Sequence, residues 1–254
     1  MSMMHIEEYV KDQGIIFYVD SDINIGLDIL RSVSFEVISH RDLAYARIQK
    51  GINSSLSKYC SFVKEGTIIN PEKPYRGRIW VRESLIFKEL ERVSYANSMC
   101  NDYQIKTIFP HFDIARYIEC IPSTDYFIVN SKCDVGDINI PTNKFGEDER
   151  TVWLFQDQAK EYGYFLKSEA KMSEGTIHFS DSFSTPIFGV QTLISADYGH
   201  YLLHEISSPK GRTRVLRSDI GEYALLAQEL VKNALHKVGI CGNLEKRILS
   251  KINA

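Results

Sequence analysis

The stretch Pro110-His111-Phe112-Asp113-Ile114-Ala115-Arg116-Tyr117-Ile118-Glu119-Cys120-Ile121-Pro122-Ser123-Thr124-Asp125-Tyr126-Phe127-Ile128-Val129-Asn130-Ser131-Lys132 decides how this chain is read. Ile114 to Cys120 and Tyr126 to Asn130 are both rich in residues that suit a pleated, half-buried surface. The segment between them, Ile121 to Asp125, has turn chemistry in its Pro, Ser and Asp. The pattern predicts an antiparallel hairpin over residues 112–132. Asp113 then stands near the start of the first strand. Asn130 and Lys132 stand near the end of the second, on one face because alternate residues of a strand share a face. The start of one hairpin strand adjoins the end of the next, so the three side chains are expected to converge.

Working outward, Gln104–Phe109 reads as a further β-type run. On the N-terminal side, Ser2 is placed to cap a short first helix ending before Gly14. Ile15 to Val19 then reads as a buried strand. Ser39-x-x-Asp42 resembles a capping box and predicts a helix toward Gly51. Residues 51–77 are rich in Ser, Asn, Pro and Gly and read as loops. A short strand is expected over 78–82 and a helix over 83–96.

On the C-terminal side, residues 134–150 are polar, with two Gly and one Pro, and read as a long loop or a subdivision of the chain. Val152, Phe155, Ala159, Tyr162 and Leu166 recur at helical spacing. Strands are expected over 176–180, 188–195 and 201–206. Asp219-x-x-Glu222 predicts the cap of a long helix over 219–238, with a short helix over 244–252 to close. Helices and strands are interspersed without βαβ alternation. The expected fold is therefore α+β, a mixed or antiparallel central sheet flanked by helices, with residues 1–254 as one domain.

Asp113, Asn130 and Lys132 form the candidate site. Their strand-turn-strand layout resembles the core hairpin of the PD-(D/E)xK nuclease superfamily. In that family an Asp and a Glu hold Mg²⁺, and a Lys two residues after the Glu helps to activate water. Asn130 stands where Glu is usual, although some restriction endonucleases of the superfamily use Asn-x-Lys. Pro110 is three residues before Asp113 instead of adjacent to it. The resemblance implies a metal-dependent nuclease hydrolysing DNA or RNA. Asp113 would ligate Mg²⁺, Asn130 would offer its carbonyl oxygen, and Lys132 would orient the attacking water. Glu83 is a candidate further ligand, and Glu169-Ala170-Lys171 a second, weaker Glu-x-Lys.

The densest basic segment includes Lys210, Arg212 and Arg214, the last two on one strand face and suited to phosphates. Its Pro and Gly favour an ordinary solvated turn over that role. His200 and His204 are four apart, but no H-E-x-x-H motif accompanies them. Asp20 to Arg31 begins like a calcium loop, yet Ile25 and Arg31 occupy the positions that need Gly and Glu. No Walker loop and no G-x-G-x-x-G occurs.

The chain has 254 residues, 44% hydrophobic and 25% charged, enough to bury a core without disulfides. A net charge of −3 carries no global signal for nucleic acid or anionic membrane. No apolar run approaches the ~18 residues of a membrane span. Five widely spaced cysteines without a C-x-x-C pair suit a reducing, cytoplasmic setting. The alternative to a nuclease is a non-enzymatic binding or regulatory protein acting through a protein or nucleic-acid interface. Its surface would be a sheet face or the 134–150 segment, and the 14 Tyr suit such a surface.

Overall fold

The computed structural model describes residues 3–8, 15–20, 36–88, 111–130, 136–179, 185–196, 198–206 and 214–217, with single positions at 232, 236, 242 and 246. In chain order the elements are β1 (Met3–Glu8), β2 (Ile15–Asp20), β3 (Glu36–Val37), α1 (His40–Lys50), α2 (Ser55–Lys58), β4 (Ser61–Asn70), β5 (Gly77–Val81), α3 (Leu85–Lys88), α4 (Ile114–Cys120) and β6 (Tyr126–Asn130). They continue with β7 (Ile138–Pro141), a 3-10 turn (Thr142–Lys144), α5 (Glu149–Phe155), a second 3-10 turn (Gln156–Gln158), α6 (Ala159–Ser168), β8 (Glu174–His178), β9 (Ile187–Leu193), β10 (Tyr201–Ile206) and β11 (Arg214–Arg217).

The chain divides into two compact units, one made of residues 1–38 with 210–254 and the other of residues 39–209. The first holds an antiparallel four-stranded sheet in the order β1-β2-β11-β3. The expected first helix is corrected there. Met3–Glu8 is a strand, because it pairs residue for residue with Ile15–Asp20 and that pairing outweighs its local helical signal. The helices expected over 219–238 and 244–252 lie outside the described residues, apart from single positions.

The second unit is built on a seven-stranded sheet, ordered β6-β5-β4-β9-β10-β8-β7. All its pairs are antiparallel except β10 with β8. The expected α+β arrangement, a central sheet flanked by helices, is corrected: sheet dominates, and α2 and α3 are four residues each. The longer helices α1, α5 and α6 pack on one another. Ser39 starts α1 as read, its hydroxyl accepting from the Asp42 amide at 3.0 Å, and Gly51 ends it.

The strand missed in the sequence is β4, at the centre of the sheet. Every residue in it except Lys64 is buried. Glu65, Thr67 and Asn70 find partners inside the protein, which offsets the cost of burying them, while Ser61 Oγ and Glu65 Oε1 have no hydrogen-bond partner among the described residues. Glu65 accepts from the His40 backbone amide at 3.1 Å and its other contact is the His40 ring at the same distance. Thr67 donates to Glu205 at 2.9 Å. Asn70 donates to the carbonyls of Pro74 and Tyr75. Glu205 on β10 also takes bonds from Arg78 at 2.5 Å and Trp80 at 2.8 Å, both on β5. One buried carboxylate thus ties three strands together.

The expected hairpin over 112–132 is also corrected. Tyr126–Asn130 is a strand, but Ile114–Cys120 is a helix. Ile114 and Ile118, one helical turn apart, are its buried positions. The expected loop over 134–150 contains β7, a 3-10 turn and the start of α5. Thr142 anchors it, its hydroxyl donating to the carbonyls of Met172 and Ser173 at 3.1 and 3.0 Å. The helix expected over 152–166 is interrupted at Gln156, whose φ is 52°.

Candidate functional site

The paired strands β8 and β10, next to the edge strand β7 of the seven-stranded sheet, carry a cluster of imidazole and phenol rings. His178 ends β8 and His204 lies on β10, and these parallel strands place the two residues directly side by side. Their ring centroids are 4.6 Å apart. Tyr201 meets the His178 ring edge-on at 6.2 Å, and His200 stacks on Tyr201 at 4.8 Å. Asp137, just before β7, contacts His178 Nδ1 at 2.8 Å. His178, Ile194, Tyr198, Tyr201 and His204 line a surface depression of about 280 Å³.

The turn from β9 to β10 presents Tyr198 and His200. Gly199 has φ of +64°, a conformation that side chains with a Cβ rarely adopt. The turn is anchored by the Tyr198 amide bonding to the Ser195 carbonyl at 3.2 Å. The Thr176 amide donates to the His200 carbonyl at 2.7 Å. Tyr198 is 66% exposed and Tyr201 37%. Burial, with His178 adjacent, pushes the His204 imidazole below its ordinary range, while Asp137 opposes this. The depression therefore offers apolar ring faces, hydroxyl groups and an imidazole biased toward its neutral form.

The residues singled out in the sequence do not sit here. Asp113 is the N-cap of α4, its carboxylate accepting from the Arg116 amide at 3.1 Å. Asn130 ends β6, opposite Arg78 of β5. Lys132, Lys210 and Arg212 lie outside the described residues, and Arg214 begins β11 in the other unit. Glu169 follows α6, and Lys171 donates to the Ser168 carbonyl at 2.6 Å. Among the described residues no group of three or more His, Cys, Asp or Glu side chains is arranged to hold a metal ion. No helix among them is long and apolar enough to cross a membrane.

Of the histidines read as a pair, His204 meets His178 as its strand neighbour. No local spacing signals that partnership, since it arises from the β8–β10 pairing. Tyr198 and His178 were likewise missed. A turn glycine between two aromatic-bearing positions before a strand was the available signal for this rim.

No family model matches the chain, and no curated protein does. A solved structure reported for the accommodation of massive sequence variation in Nanoarchaeota by the C-type lectin fold is similar, with a TM-score of 0.62 and 15% identity. The match covers 84% of this chain and 100% of that one. It agrees with the sheet-dominated architecture and overturns the α+β expectation. The likeness gives no support to the hydrolase and endonuclease reading, and the hairpin on which that reading was placed is corrected to a helix, a turn and a strand.

Proposed function

We propose that this chain is a non-enzymatic binding protein that engages a protein partner through the His-Tyr depression at the β8–β10 strand pair. The observation that carries this reading is the grouping of exposed Tyr198, Tyr201 and His200 around a depression floored by His178 and His204. Tyrosine supplies large contact area with little conformational freedom to lose, and aromatic residues are enriched where proteins meet. Tyr201, His178 and His204 are held by the paired strands β8 and β10, and the turn that carries Tyr198 and His200 is fixed by two backbone hydrogen bonds, so part of the ordering cost is met before binding.

The test is affinity capture with the whole chain and a Tyr198→Ala/Tyr201→Ala variant. Both residues are exposed, so the variant is expected to keep its thermal stability. A partner retained by the wild type is expected to be lost by the variant, with at least about a tenfold rise in Kd for the purified pair. Equal capture by both proteins would exclude this surface. Binding of DNA or RNA that the variant retains would instead point to a nucleic-acid interface elsewhere on the chain.

A further inference from the structure

A second recess in residues 39–209 is made of a different chemistry. Lys64, Val81, Arg82, Glu83, Tyr117, Ile121, Asp125 and Gln156 surround a cavity of about 300 Å³. Arg82 immediately follows β5, and its guanidinium lies over the Trp153 ring at 3.9 Å. Its Nη1 is buried and has no hydrogen-bond partner among the described residues. Arginine hydrogens left in that state are costly, because a buried donor forfeits its water without replacement. The ring contact holds the guanidinium plane in place, with its donor fork pre-formed.

Three further features converge on the same recess. Gln156 has φ of 52° and ψ of −127°, a strained backbone for a residue with a side chain. Asp125 contributes a carboxylate that accepts from the hydroxyl of neighbouring Thr124 at 3.2 Å. Tyr117 is held in its protonated, hydrogen-bond-donating form: burial, then Glu83 and Asp125, push its phenol up to about 12. Cationic and anionic groups thus face one cavity, without an ion pair between Arg82 and Asp125.

We infer that this recess binds a small zwitterion of the amino-acid class, its carboxylate on Arg82 and Lys64 and its ammonium group on Asp125 and Glu83. A charged guanidinium with an unpaired donor attracts a carboxylate through a charge-assisted hydrogen bond. A purely anionic ligand would leave the two acidic side chains facing like charge, and a purely cationic one would do the same to Arg82 and Lys64. The cavity volume suits a molecule of that size and is small for a peptide. This site does not depend on the His-Tyr surface, so either reading can fail alone.

The experiment is isothermal titration calorimetry of the full chain with each common L-amino acid, acetate and methylammonium. At least one amino acid is expected to bind saturably, with acetate and methylammonium each at least about tenfold weaker. Arg82→Gln and Asp125→Asn are each expected to weaken binding by about tenfold or more. Arg82→Lys, which keeps the charge and loses the fork, should also weaken it, and Tyr201→Ala should leave it unchanged. Circular dichroism melts show whether each variant is folded. Absence of saturable binding to every amino acid would overturn the inference. So would acetate binding as tightly as the best amino acid, or unchanged affinity in folded Arg82→Lys and Asp125→Asn proteins.

Discussion

His204 faces His178 across the strand pair; Tyr201 and Asp137 contact His178, and His200 stacks on Tyr201. Its imidazole is pushed down chiefly by burial, then by the neighbouring His178. The unfolded chain therefore takes up the His204 proton at a higher pH than the folded chain does. Stability from the neutral ring is fully present above the ordinary value of ~6.5 and is lost as pH falls below it. Thermal melts between pH 8 and pH 5 are expected to show a falling Tm over this window. His204→Gln, which cannot titrate, should flatten that fall. An identical pH profile for the variant would show that the cluster does not couple protonation to folding. Asp113 carries a different lesson at the same scale. Its carboxylate was read as a metal ligand, whereas in the structure it accepts a helix N-terminal amide, the ordinary use of an Asp before a helix.

Helix α6 shows how packing overrides intrinsic preference. Gly163 lies within it, buried against the 3-10 turn of Thr142–Lys144. A Cβ at this position would collide with the Thr142 carbonyl oxygen and crowd Phe145. Alanine is better than glycine in a free helix by about 1 kcal/mol. Gly163→Ala is nevertheless expected to destabilise, by roughly 1–3 kcal/mol, because the clash is with backbone that cannot rotate away. A denaturant titration settles the sign; a stabilised variant would show that α6 shifts freely. Element by element, the sequence was legible where a local signal agreed with the tertiary setting. Ser39 and Gly51 bracket α1, and Tyr201–Ile206 is a strand as read. In α4 the β-type composition pointed to a strand, while Asp113 as cap and Ile114 and Ile118 at helical spacing pointed to the helix that forms. In β4 the disguise was Ser61, Glu65, Thr67 and Asn70, polar residues that look like loop but are buried. Their partners, such as His40 and Glu205, come from remote positions that a local reading does not connect.

At the scale of the molecule, the unit of residues 39–209 is one unbroken stretch of chain, while the other unit is assembled from the two flanking stretches. The long stretch contains the whole seven-stranded sheet and its buried aromatic residues, among them Phe62, Trp80, Phe155, Tyr162 and Phe188. The Glu205–Arg78–Trp80–Thr67 network and the His40–Glu65 pair also close within it. Arg47, fully buried in α1, finds the carbonyls of Leu56, Tyr59 and Ile194 and the hydroxyl of Tyr162 inside the same boundaries. A buried guanidinium so placed strongly disfavours any arrangement that releases those four acceptors. A fragment of residues 39–209 is therefore expected to fold by itself and to melt cooperatively, with a stability in the range of about 5–15 kcal/mol usual for a domain. Dispersed amide resonances and a single sharp transition are the expected readout. A fragment that binds hydrophobic dye and melts without a transition would show that the flanking stretches are required to complete this sheet's core.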